Sequence, residues 1–278
     1  MTTATRAVGI DELRRAWHAV QEGRFIERGR LDRGDAVPRP ARSAPDDHVW
    51  CPGEDVLPVI GCLPQSGASS LALAIATQAS PARVVECSPP TASGLTAAAT
   101  AELGRTSSGW SIGRRDQVRL ARPSEHHLRP DELPTPEDTP VGIALTVLDV
   151  GWEIGHVLAS GGWLSATVAA APHVVVVGTA TVPGLRRLEG ALTLLDPTRA
   201  AVVVRGPDPR RWPRELAAAM GPATRDRHHA GRLVGVSSDK RLALRGIDST
   251  PLPPALLTVA RDVLRQLGVA GHPLKGTP

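Results

Sequence analysis

The chain has 278 residues, 41% of them hydrophobic, with 27 Gly, 26 Pro, one Phe and no Tyr, and a formal net charge of +4 at pH 7. Its three cysteines, Cys51, Cys62 and Cys87, show no CxxC or Cys/His spacing, which argues against a disulfide framework or a thiolate metal module and for a reducing compartment. No apolar stretch approaches the roughly 20 residues of a membrane span, and Met1 to Gly9 lacks a signal-peptide core, so a soluble cytoplasmic protein is expected.

Ile10 to Phe25 is predicted as an amphipathic helix, with Asp11 able to cap it and Leu13, Ala16, Trp17 and Val20 on one face. Gly29 to Asp47 is rich in Arg, Asp, Pro and Gly and reads as a solvated linker. The stripe on the helix either docks on a partner or folds back as core cover. The expected organisation is a helix in residues 1–28, a linker over 29–48, an α/β domain over 49–270 and a tail from 271 to 278. Within that domain strands are predicted near Leu57–Cys62, Arg83–Cys87, Val118–Ala121, Ile143–Val150, His173–Gly178, Ala200–Arg205 and Leu233–Val236. Helices are predicted near Ser69–Ala79, Ala92–Leu103, Ile154–Ala170, Gly184–Leu195, Trp212–Met220 and Pro254–Leu267. Strands apolar on both faces and separated by helices indicate a doubly wound, mainly parallel sheet flanked by helices, which binds ligands at its strand C-terminal ends.

The run from Leu57 to Ala74 contains an apolar strand, a turn ending at Gly67, the hydroxyls of Ser69 and Ser70, and an Ala/Leu helix. That is the frame of a phosphate-binding loop: Gly67 allows close approach, the amides of Ala68, Ser69 and Ser70 face the anion, and Ser69 takes the place of the magnesium-binding hydroxyl. The usual lysine position holds Ala68, and the chain's two lysines, Lys240 and Lys275, lie far away in sequence. Gly61 falls one residue early for the standard spacing, and Pro64 removes one amide donor. The alternative is a plain structural connection. A second segment, Thr146 to Trp152, ends an apolar strand in Asp149 followed by Val150 and Gly151, as where a carboxylate must reach a magnesium-bound water. An aspartate capping the next turn would give the same letters.

With the strands at His173–Gly178 and Leu233–Val236 added, the order of segments from about Leu57 to Leu267 resembles the ParA/MinD group of P-loop ATPases (the SIMIBI class). The Gly-Ala-Ser-Ser-Leu-Ala form of the loop is most similar to the divergent CpaE/TadZ-type and septum-site-like members. The resemblance implies a parallel sheet, ATP or ADP with Mg2+ at its C-terminal edge, a homodimer, and dimerisation coupled to nucleotide. It aligns Asp149 with the family's carboxylate for the magnesium site. It aligns Arg205-Gly206-Pro207 and Ser237-Ser238-Asp239 with the stretches that cradle the base, so that Arg205, Pro207 and Ser238 join the nucleotide-binding set. The family's signature lysine falls on Leu63, the general loop lysine on Ala68, and the switch aspartate is missing or replaced by Glu86.

Losing one such electrostatic contact costs on the order of 100-fold in rate, so efficient hydrolysis is not expected, whereas binding through backbone amides survives. Arg114 and Arg115 are candidates for a substitute charge, the alternative being two solvated surface residues. From Arg186 to Arg245 twelve Arg and one Lys face six acidic residues, and Arg187, Arg210, Arg211 and Arg214 could meet DNA nonspecifically or form a solvated face. The pairs His126-His127 and His228-His229 do not suggest a metal site, since adjacent histidines point apart on regular elements. The reading is a partition or positioning adaptor for a plasmid, conjugation or secretion/pilus machine, binding nucleotide weakly or not at all and meeting a protein partner through the Ile10–Phe25 helix. The alternatives are an active ATPase with non-standard cations and a structural pseudo-enzyme without nucleotide.

Overall fold

The computed structural model describes residues 50–269; the Ile10–Phe25 helix, the Gly29–Asp47 linker and the 271–278 tail lie outside the described residues. Seven strands run parallel: β1 (Asp55–Gly61), β2 (Ala82–Cys87), β5 (Val118–Pro123), β6 (Leu145–Val150), β7 (Val174–Thr179), β8 (Ala200–Arg205) and β9 (Leu233–Val236). Their residues are Val, Leu, Ile and Ala on both faces because helices cover both, and Val174 to Val177 are at most 1% exposed. Two further strands, β3 (Ala101–Arg105) and β4 (Trp110–Arg115), pair antiparallel and extend one side, giving the order β3-β4-β5-β2-β6-β1-β7-β8-β9.

This hairpin replaces the helix expected at Ala92–Leu103. Only a single 3-10 turn, Leu95–Ala98, forms there. The Ala-rich composition favours a helix locally, but Glu86 at the end of β2 accepts hydrogen bonds from the amides of Gly94 (2.8 Å) and Leu95 (3.1 Å) and from the Ser93 hydroxyl (3.1 Å). The chain is thereby turned over the strand end and delivered to the edge of the sheet.

Helices α1 (Ala68–Gln78) and α8 (Pro254–Leu267) pack on one face, against Val84, Leu120 and Val147. On the other face α2 (Ile154–Ser160), α3 (Gly162–Ala170) and α4 (Val182–Leu194) cover Val85, Ala121 and Leu148. The long helix expected at Ile154–Ala170 is two, because Gly161 and Gly162 both take φ 75° and break it. Trp212–Met220 shrinks to α5 (Arg214–Ala218), and α6 (Pro222–His229) and α7 (Lys240–Arg245), which the sequence patterns did not predict, complete the helices of the described residues. No helix there is long and apolar enough to cross a membrane.

At the N-terminal edge of the parallel strands buried charge is sealed. Arg83, with a side chain 4% exposed, donates to Glu54 Oε1 (2.9 Å), to Thr146 Oγ1 (3.1 Å) and to the Glu137 carbonyl (2.7 Å). The hydroxyls of Thr139 and Thr146 donate to the same carboxylate. Arg115 is closed in the same way by the carbonyls of Ala98, Asp248 and Thr250.

Candidate functional site

The opposite edge carries the loop between β1 and α1. Gly67 caps α1 in the left-handed region at φ 94°, a conformation that favours glycine. Gly61 is glycine because the loop folds back on it: a Cβ there would lie 2.9 Å from Ser66 Oγ and 3.2 Å from Ala68 Cβ. The early glycine in the spacing therefore serves the tightness of the loop. Gln65 also takes a left-handed φ of 60°, a strain a non-glycine residue rarely carries. Ala68, Ser69 and Ser70 form the first turn of an eleven-residue helix, so their amides have no partner within it and face outward with its positive end.

Asp149 ends the row of β6 that stands beside this turn. Strand residues alternate faces, so Asp149 shares the α1 face with Val147, as Glu86 does with Val84 across the pairing Glu86↔Asp149. Asp149 is 2% exposed, and its Oδ1 is buried with no hydrogen-bond partner. Burial pushes its pKa up to about 7; the Ser69 hydroxyl opposes that rise and the Glu86 charge adds to it. Ser69 is thus near enough to influence Asp149, yet no bond satisfies Oδ1. Nor does Asp149 cap the next helix: Glu153 does, accepting from the His156 amide at 2.9 Å. Gly151 is required here by crowding, since a Cβ on it would sit 2.5 Å from Ser88 Cβ.

The other expected residues divide. Arg205 ends β8, and its Cδ lies 3.7 Å from where a Cβ on Gly67 would be, so its stem packs against the loop while its Nε is buried without a partner. Pro207 and Ser238 are exposed at the same edge, after β8 and β9. Arg114 and Arg115 cannot supply the missing charge. They lie on β4, four strands from β1 in the sheet order, and Arg115 faces Val118 at the start of β5, the far edge. At about 4.8 Å per strand the separation is near 19 Å before the difference in edge is added. Glu86 is not a free switch carboxylate either, because the 93–95 turn occupies both its oxygens.

The Cys62 thiol beside the loop is pushed up to about 12, first by burial and then by Glu153, and is no nucleophile at neutral pH. Among the described residues no cluster of three or more His, Cys, Asp or Glu could hold a metal.

Among solved structures the chain is similar to apo McdA from Cyanothece, at 12% identity and a TM-score of 0.50, covering 76% of this chain and 99% of that one. The fold is that of the ParA/MinD-type ATPases. A ParA family ATPase from Chlorobium tepidum (14% identity, 78% and 95% covered, TM-score 0.48) and the MinC:MinD complex from Aquifex aeolicus (15%, 80% and 98%, 0.48) also align. No family model and no curated protein matches the sequence. Within this fold two residues that sequence reasoning missed carry weight. Arg122 is a buried charge on β5, and the Ser88 hydroxyl after β2 is buried; both have an unpartnered polar atom. The signal for Arg122 was present: an arginine two residues after Leu120 shares that residue's covered face.

Proposed function

We propose that the chain is a divergent ParA/MinD-type protein that binds ATP or ADP with Mg2+ at the 61–70 loop and turns it over very slowly. On this reading it acts as a partition or positioning adaptor for a plasmid, conjugation or secretion/pilus machine. The observation that carries the reading is the buried Asp149 carboxylate with an orphaned oxygen beside Ser69, at the amide-bearing end of α1. A hydrated divalent cation between the hydroxyl and the carboxylate would satisfy that oxygen, and the loop amides would meet the phosphates. Slow turnover follows from Ala68 and Leu63 standing where lysines would stabilise the transferring phosphoryl. Homodimer formation and a protein partner met through the Ile10–Phe25 helix complete the reading.

Calorimetric titration of MgATP tests it. Wild type should bind only with magnesium present, Ser69→Ala should bind MgATP more weakly because it loses a ligand of the ion, and Gly67→Val should lose binding. Equal affinity in all three would remove the nucleotide from this loop. Arg205 favours a second reading, an ATPase with a non-standard cation, because its stem already lies on Gly67. Turnover of about 1 per second or above, abolished by Asp149→Ala, would select that reading instead.

A further inference from the structure

Beyond the ends of β2 and β5 lies a cavity of about 660 Å³, lined in part by Ser88, Ser93, Arg105, Arg122, Ser124 and His126. Small-molecule sites typically enclose roughly 300–1,000 Å³. No residue of the 61–70 loop lines the cavity, although two residues of its wall, Glu86 of β2 and Ser88 just after it, stand beside Asp149 of β6 and Gly151 just after that strand. Two of its lining residues hold buried polar atoms with no partner: the Nε of Arg122, a residue 6% exposed, and the Oγ of Ser88, a residue 7% exposed. A buried donor left unmade costs about 1–3 kcal/mol, so two in one cavity call for an acceptor there.

The acidic residues of the wall do not supply it. Glu86 is taken by Ser93, Gly94 and Leu95. Glu125 is exposed. Glu102 pairs with Arg122 through Nη2 only, reaching in from the edge strand β3 with its own side chain 56% exposed. Its carboxylate marks where an oxyanion sits on this guanidinium, and an exposed acceptor on an edge strand is one that a ligand can displace. The remaining wall offers Arg105, His126 and the hydroxyls of Ser88 and Ser124, all able to donate to an oxyanion.

We propose that this cavity binds the phosphate group of a small phosphorylated molecule, with Arg122 as the buried anchor, Ser88 as a second donor, and Glu102 as the internal acceptor that the phosphate replaces. The site does not depend on nucleotide binding at the 61–70 loop.

Calorimetric titration of the full chain with inorganic phosphate tests it. The expected isotherm contains a saturable component that persists in Ser69→Ala, disappears in Arg122→Gln, and tightens about tenfold in Glu102→Gln, where the competing carboxylate is gone; tenfold corresponds to about 1.4 kcal/mol. Glu102 is exposed, so Glu102→Gln keeps the test decisive even if Arg122→Gln fails to fold. No saturable phosphate binding, loss of the component in Ser69→Ala, or an isotherm in Glu102→Gln identical to wild type would each overturn the proposal.

Discussion

Arg83 and Asp149 lie at opposite ends of the same strand pair, β2 and β6, both almost wholly buried, and the protein treats them in opposite ways. Every contact around Arg83 is closed: a carboxylate, a hydroxyl and a carbonyl take its donors, and Trp50 lies with its ring centroid 5.8 Å from the guanidinium carbon. Asp149 has an oxygen with no partner at all. The contrast belongs to these two sites rather than to whole edges, because His173 Nδ1, just before β7, and Gln266 Oε1, on a side chain that reaches Gly231 before β9, are also buried without partners at the N-terminal edge. Of seven buried side-chain atoms without partners among the described residues, four belong to Ser88, Arg122, Asp149 and Arg205 at the C-terminal edge. The Arg83 site closes its buried charge within the fold; the Asp149 site leaves a polar atom that the fold alone does not satisfy, at the edge where sheets of this class bind ligands.

Breaking the closed site should have the largest effect. Arg83→Met leaves Glu54 buried without its cation, which costs about 3–5 kcal/mol and should lower Tm by on the order of 10 °C in a thermal melt. The same network sets an acid dependence. Burial pushes the Glu54 pKa up, but the Thr139 and Thr146 hydroxyls and the Arg83 charge outweigh it and hold the group below its ordinary 4.5. The stability it contributes is therefore complete above pH 4.5 and lost as pH falls through the folded value.

The open site should respond with the opposite sign. Asp149 has a folded pKa of about 7 against 3.8 unfolded, so its contribution is present below pH 3.8 and lost as pH rises through 7. Measured in EDTA, Asp149→Asn should raise stability at pH 8 by on the order of 2–4 kcal/mol and change little at pH 4. A variant less stable than wild type at pH 8 would make Asp149 a structural acceptor like Glu86, and the contrast between the Arg83 and Asp149 sites would fail. The smallest effect lies in the loop. Gln65→Gly should relieve the left-handed strain at φ 60° and stabilise by about 0.5–1 kcal/mol, visible as a modest rise in Tm.

The parallel strands were legible because burial on both faces writes itself as unbroken runs such as Val174 to Val177. The loop was legible because a left-handed helix cap needs glycine at position 67. Ser69 and Asp149 each suggest magnesium from their own segments, the loop frame and the strand ending in an acid, and the family resemblance supports the pair; eighty residues separate them, and their proximity follows from β6 lying beside β1. Of the two alternatives for the switch carboxylate, missing or replaced by Glu86, the structure removes the second, and nothing in the neighbours' identities tells that the amides at 94 and 95 return to Glu86.

The sequence by itself determined the layered α/β class, the position of the loop and the absence of a lysine from it, because these depend on local periodicity, glycine conformations and residue identity. Only the tertiary structure decided that Ala92–Leu103 yields an edge strand, that Arg114 and Arg115 are out of reach while Arg205 lies on the loop, and that Ser88 and Arg122 share one cavity. Those outcomes depend on which strands become neighbours and on which partner each buried polar atom finds, and both are settled by contacts between residues distant in the chain.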